Sequence, residues 1–165
     1  LPHFSRQLPA KMTPRMPRIP CVVVIAFLLT TPATACSLLK PSEIKAALRS
    51  TVTKITPTSS KGETGCTYEL ADYKVILSYF TDRKRGPQAK SIKEDPYIHD
   101  LSPGPNVRDY GNIGCKIVDA GTLFATTCNL YQPRWLHIAV QTHGATAVPI
   151  DTVKTLLDKA STRFR

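Results

Sequence analysis

Apolar positions recur along this chain with two different periods, and the change from one to the other marks out its elements. Near the front, Ile44, Ala47 and Leu48 fall at i, i+3 and i+4, the spacing of one helix face. Pro41 suits the first helical position and Glu43 the first turn, and Leu39 with Ile44 can staple the chain onto the helix start. The same spacing returns in Val153, Leu156, Leu157, Ala160 and Phe164, opened by Pro149 and Asp151 and closed by Arg163 and Arg165. The pattern predicts a short N-terminal helix with one buried stripe and a C-terminal helix laid across a sheet.

Between the helices the period drops to two. "GCTYEL", "YKVILSYF", "NIGCKIV", "TLFATTC" and "WLHIAVQT" are rich in β-branched and aromatic residues, the composition of strands. About five strands with helices at both chain ends predict an α+β fold, an antiparallel sheet with the helices packed on it, rather than an alternating βαβ plan. In "RWLHIAVQTHG" the alternation gives Leu136, Ile138, Val140 and Thr142 to a core face and Trp135, His137, Ala139, Gln141 and His143 to the other. That second face reads as the ordinary solvent side of a sheet, or else as an aromatic and polar groove that Tyr73 and Tyr79 join. Residues 81–111 break the order, being rich in charge, Pro and Gly. They read as a solvated excursion with a helical turn near "AKSIKED", or as a binding loop, since structureless stretches of that length are uncommon inside compact domains.

The first residues change the picture of where the chain works. "RMPRIPCVVVIAFLLTTPATA" has a basic start at Arg15 and Arg18, an apolar run from Cys21 to Leu29, and a polar end at Ala33-Thr34-Ala35. This is the three-part pattern of a secretion signal, and the run is well short of the roughly 20 residues a membrane span needs. Residues 1–15 show no apolar periodicity, with Met12 or Met16 as candidate starts. The expected division is an N-terminal extension with a cleaved signal over 1–35 and a single domain over 36–165.

Charge and cysteine usage follow from that division. The whole chain carries +10; its first 35 residues hold four of the 22 basic and none of the 12 acidic residues, which leaves a net charge of +6 on the rest. Such a balance favours anionic partners. The densest basic run, "DRKRGPQAK", contains no aromatic residue, which speaks against nucleic acid, where bases stack on interleaved rings. With Cys21 in the leader, Cys36, Cys66, Cys115 and Cys128 remain, an even set that implies two disulfides in an oxidising compartment, with three pairings to choose from. "GCKIVDAGTLFATTC" reads as strand, turn, strand and places Cys115 nearly opposite Cys128, within bridging range. Cys36 and Cys66 are then left for each other.

The run "CSLLKPSEIKAAL", followed by "GCTYEL", resembles a broad group of small exported bacterial domains of unknown function, many of them lipoproteins. Members open with Cys-Ser-Leu-Leu-Thr, an acidic helix and Ala-Leu-Gly, then carry a strand bearing Cys-x-Tyr. The resemblance covers about 35 residues at the front and implies an α+β fold with a curved antiparallel sheet and a Cys36–Cys66 disulfide. It implies no reaction, because the group has no common activity. Lys40 stands where the group's Thr would cap the helix, at a cost on the order of 1 kcal/mol. Arg49 stands where Gly would end it, so the helix is expected to run on or bend differently. Ala33-Thr34-Ala35-Cys36 also reads as a permissive lipobox without its usual Leu. Acylation would leave almost no tether before the helix and would strand Cys66 as an odd thiol, so the disulfide is the expected fate of Cys36 and a lipid anchor the alternative.

Little in the sequence points to catalysis. His99 lies beside Asp95 and Asp100 in "DPYIHDLSPG", but loop neighbours carry no enforced geometry. His137 and His143 cannot share an ion across about 20 Å of regular strand. Nucleophile, phosphate-loop, dinucleotide and zinc-protease motifs are missing. The sequence therefore predicts a monomeric, non-enzymatic exported protein, periplasmic or secreted, without metal or cofactor. It would bind an anionic or small ligand, or another envelope protein, through Trp135, His137, Gln141 and Tyr79 together with Arg83, Lys84 and Arg85, and would touch a membrane only if Cys36 is acylated. The alternatives are a lipid-anchored accessory protein and a secreted hydrolase with unidentified carboxylates.

Overall fold

Seven strands pair antiparallel in one sheet: β1 Lys54–Ser60, β2 Glu63–Glu69, β3 Tyr73–Phe80, β4 Val107–Asp109, β5 Ile113–Asp119, β6 Phe124–Leu130 and β7 Leu136–Thr142. Their order across the sheet is β1-β2-β3-β7-β6-β5-β4. Helix α1 spans Pro41–Leu48 and helix α2 Ile150–Ser161. This computed structural model describes residues 35–82, 88–95, 106–144 and 146–164. The expected secretion signal, the basic residues Arg83, Lys84 and Arg85, and His99 with Asp100 lie outside the described residues.

The α+β architecture with its two flanking helices is the one the periodicity predicts, but the sheet has seven strands rather than about five. The five expected strands are β2, β3, β5, β6 and β7. β1 escapes the pattern because it is an edge strand exposed along nearly its whole length, with Pro57 in its middle. Proline removes a ladder donor and is tolerated at edges. β4 has three residues, too few for any period to register. β1 turns into β2 through Lys61 and Gly62, both at positive φ (49° and 87°), the combination of a two-residue type I′ hairpin.

Both helices cover one face of the sheet. Tyr68, Val75, Leu77, Leu136, Ile138 and Val140 are fully buried there against Leu39, Ile44, Val153, Leu156 and Leu157. Cys66, Leu77, Ile138, Cys128 and Cys115 form one register row across β2, β3, β7, β6 and β5. The row holds both cross-links: Cys115–Cys128, directly opposed with Cα atoms 4.1 Å apart, and Cys66 bonded to Cys36, 5.0 Å between Cα atoms. Two structural disulfides place the protein in an oxidising environment. Among the described residues no helix is long and apolar enough to cross a membrane.

The two chain ends are clasped together beside that row. Lys40 N–H donates to Glu43 Oε2 at 2.9 Å, half of a capping box; a lysine ammonium has no lone pair to supply the other half. Arg163, beyond α2, grips the same carboxylate with Nη1 at 2.8 Å and Nη2 at 2.7 Å, and donates to Leu38 O at 2.9 Å. α1 ends at Leu48 because Arg49 takes the left-handed conformation, φ 52° and ψ 28°. The helix stops where glycine would have stopped it, rather than running on, with an arginine carrying the strain.

Candidate functional site

The face away from the helices is built around one polar row. Register puts Gly65, Ser78, His137, Asn129 and Gly114 side by side across β2, β3, β7, β6 and β5. An ordinary solvent side would leave this row wet. Instead Ser78 and Asn129 keep only 5–6 % exposure, as does Ala139 in the next row of the same face. The segment 88–95, expected as part of a solvated excursion, lies on this face as a strap.

Two side chains fix the strap. Ile92, at the start of a short 3-10 turn over Ile92–Glu94, sits on Gly114 and packs with Tyr131, Ala89, Val107 and Trp135. A Cβ built on Gly114 would stand 2.6 Å from Tyr131 Oη and 2.9 Å from Ile92 Cγ1, so the notch exists only because residue 114 has no side chain. Asp95 closes the strap with 1 % exposure. Its Oδ2 accepts from Asn129 Nδ2 at 2.8 Å and from Tyr131 Oη at 2.9 Å.

That carboxylate dictates the tautomers beyond it. An ionised Asp95 only accepts, so Asn129 turns its amide nitrogen to the strap and its Oδ1 to His137. The 2.6 Å contact from His137 Nδ1 to Asn129 Oδ1 then requires the proton on Nδ1 and a lone pair on Nε2. Burial is the largest influence on His137, holding its pKa down to about 4; the attraction of Asp95 opposes this and the Lys116 ammonium reinforces it. The residue keeps a strip of exposure, yet its ring lies between the Trp135 plane and the Asn129 amide, where hydration is poor. His137 is neutral at pH 7. Tyr131 is pushed above its usual range by burial, and further by its bond to Asp95.

Aromatic rings finish the site. Trp135 stacks on His137, 5.5 Å between centroids and 4° between planes, and meets Phe80 at 5.3 Å in a tilted contact. Its indole Nε1–H is buried with no hydrogen-bond partner among the described residues. The arrangement is a rigid aromatic ridge, Phe80–Trp135–His137, backed by the hydrogen-bonded chain His137–Asn129–Asp95–Tyr131.

Of the residues the sequence singles out, Trp135 and His137 come together. Gln141 is on the same face but four residues beyond His137 along β7, half-buried and opposite Lys74. Tyr79 lies on the helix-covered face, 4.8 Å from Phe164, and Phe80 takes the place beside Trp135. Tyr73 likewise packs against the helix-side core. His143 is exposed at the other end of β7, where with Tyr73, Asp72 and Thr142 it lines a shallow depression of about 340 Å³. Asp95, which the sequence groups with His99 and Asp100, is bonded to Asn129 and Tyr131 among the described residues. Sequence reasoning passes over Asn129, Tyr131, Ser78 and Gly114. The register of Asn129 against His137 is the signal that finds them, and it needs the β6–β7 pairing to be known.

Among the described residues no three His, Cys, Asp or Glu side chains converge as a metal site would require. No protein-family model, curated protein or solved structure matches the chain.

Proposed function

We propose that the chain is an exported, non-enzymatic protein of the cell envelope, periplasmic or secreted, that binds an anionic ligand at the Phe80–Trp135–His137 ridge. The observation that carries this reading is the ridge itself: three rings in contact, Trp135 stacked on His137 and tilted against Phe80, held by an internal polar chain at the margin of an otherwise buried face. Pre-set rings of this kind offer contact area at little entropic cost on binding. The excess of basic residues after position 35 supplies long-range attraction for an anion, and Arg83, Lys84 and Arg85 are the cations proposed to assist.

Binding is favoured over hydrolysis by how the reactive groups are used. Cys36, Cys66, Cys115 and Cys128 are oxidised in pairs, and His137, Asn129, Tyr131 and Asp95 are linked in one hydrogen-bonded chain. A lipid anchor on Cys36 competes with the Cys36–Cys66 bond, because one sulfur cannot carry both a thioether and a disulfide. The leader pattern and the resemblance of residues 36–70 to exported bacterial domains support the compartment.

Trp135 is the chain's single tryptophan, so its emission reports on the ridge alone. Titrating the purified, disulfide-bonded protein with anionic phospholipid vesicles and with an anionic cell-wall polysaccharide should shift that emission with one of them, and added salt should weaken the response. His137→Ala should reduce the affinity. An unchanged spectrum with both probes, or a response indifferent to salt, would refute the proposal.

A further inference from the structure

We propose that the ligand of the Phe80–Trp135–His137 ridge is an acidic saccharide, held by a sugar hydroxyl that donates to His137 Nε2. This assignment rests on the ridge being the binding site, and it chooses the saccharide over a phospholipid surface.

The choice follows from the polar atoms that the ridge shows to solvent. Phe80 has none. The indole Nε1–H of Trp135 is buried, the one buried side-chain nitrogen or oxygen without a hydrogen-bond partner among the described residues. His137 Nδ1 is taken by Asn129 Oδ1 at 2.6 Å. His137 Nε2 has no partner among the described residues either, yet it is not one of their buried unpaired atoms. It therefore opens on solvent, through the part of the ring that stays exposed. The ridge presents one polar side-chain atom.

That atom accepts and does not donate. The Asp95 carboxylate takes hydrogens from Asn129 Nδ2 and Tyr131 Oη, which turns Asn129 Oδ1 to the ring and sets the imidazole proton on Nδ1. Burial of the ring keeps it neutral at pH 7. The tautomer is fixed from behind, by groups that face away from the ridge, and Nε2 is left with its lone pair outward.

A fixed acceptor sorts ligands by what they bring to it. An ionised phosphate or carboxylate offers lone pairs alone, so pressing one onto Nε2 sets two acceptors against each other and leaves both unpaired. A sugar carries hydroxyl donors around a ring whose C–H groups suit the electron-rich faces of aromatic side chains. Phe80, Trp135 and His137 each keep part of their surface for such contact. The net charge of +6 after position 35 favours sugars that bear carboxylates or phosphates elsewhere on the chain.

The test reads the imidazole nitrogens directly. The disulfide-bonded, 15N-labelled protein is titrated at pH 7 with an oligomer of galacturonic acid, and separately with vesicles of phosphatidylcholine and phosphatidic acid. The ring 15N shifts of His137 should show Nδ1 protonated and Nε2 bare in the free protein. The oligogalacturonate should move the Nε2 resonance toward its protonated position, the signature of an accepted hydrogen bond, and the vesicles should leave it in place. His137→Phe keeps a ring beside Trp135 and removes the acceptor, so it should weaken oligogalacturonate binding roughly 5- to 10-fold by tryptophan emission. The ring shifts of the wild-type protein decide the matter even if that variant folds poorly. A proton found on Nε2, an Nε2 resonance indifferent to bound oligogalacturonate, or wild-type affinity in His137→Phe would overturn the assignment. A tryptophan response to the vesicles alone would overturn it too while leaving the ridge a binding site, whereas silence with both probes would remove the binding reading itself.

Discussion

Breaking the clasp between the chain ends gives the most quantitative check on this fold. Glu43 is held at a pKa of about 2, against an ordinary 4.5, by the Arg163 guanidinium first and the Lys40 N–H second, with partial burial pulling the other way. At about 1.36 kcal/mol per unit, a shift of that size corresponds to a ceiling of roughly 3.4 kcal/mol. The Glu43 side chain is 16 % exposed and that of Arg163 32 %, so solvent screening brings the expected contribution to about 1–2 kcal/mol. The folded pKa is depressed, so this stability is present in full above about pH 4.5 and is lost progressively as the pH falls toward 2. The assay is a double-mutant cycle on Glu43→Gln and Arg163→Met by urea unfolding at pH 7, repeated at pH 3 with the wild-type and Glu43→Gln proteins. A coupling energy of about 1–2 kcal/mol at pH 7, and a wild-type advantage over Glu43→Gln that shrinks at pH 3, are expected. A coupling below about 0.3 kcal/mol, or an advantage that does not change with pH, would show that the two ends meet without holding each other.

Three further substitutions probe local features. Arg49→Gly should raise stability by about 0.5–1 kcal/mol, because it removes a Cβ from a left-handed helix end at some entropic cost; thermal unfolding followed by circular dichroism reads the change. Gly114→Ala should cost about 1–3 kcal/mol by overpacking the Ile92–Tyr131 notch, and hydrogen exchange should quicken at Glu94 and Asp95 more than at the core strands. Trp135→Phe deletes a buried donor that has no partner among the described residues, which offsets part of the cost of the smaller ring, so the net loss in urea unfolding should stay below about 2 kcal/mol; a larger loss would refute this.

How far the sequence could be read follows from where the physics is local. The helices were legible because their apolar spacing and their first-turn residues act within a few positions. Cys115 and Cys128 were legible because a hairpin fixes which residues oppose each other. The reading of Cys36 with Cys66 depended on the leader, the count and a resemblance rather than on geometry. Arg163 on Glu43 had no such handle: the two are 120 residues apart, and nothing near either one announces the other. Tyr79 lies on the helix-covered face rather than beside Trp135 for a sharper reason. A strand of half-aromatic alternation, "YKVILSYF", puts Tyr79 and Phe80 on opposite faces, and only the pairing with β7 decides which of them meets Trp135.

The strap was hidden by a different effect, one of topology rather than of propensity. β3 lies next to β7, and β4 is the far edge of the sheet, four strand spacings or about 19 Å away. The chain leaving β3 has to cover that distance before β4, β5, β6 and β7 can return as a meander. The helices occupy one face, and Ile92 and Asp95 lie on the other. A crossing chain that buries backbone needs apolar and hydrogen-bonded anchors at intervals, and Ile92 and Asp95 are two such anchors in a stretch otherwise polar enough to resemble a solvated loop. The same requirement accounts for the row beneath it. Gly114 makes room, and Asn129 and Tyr131 meet the carboxylate. Alternation along β7 cannot distinguish a face that water covers from one that a distant segment covers, since both demand polar residues. The distinguishing mark is instead the pairing of a buried carboxylate on the crossing segment with an amide in register beside the histidine.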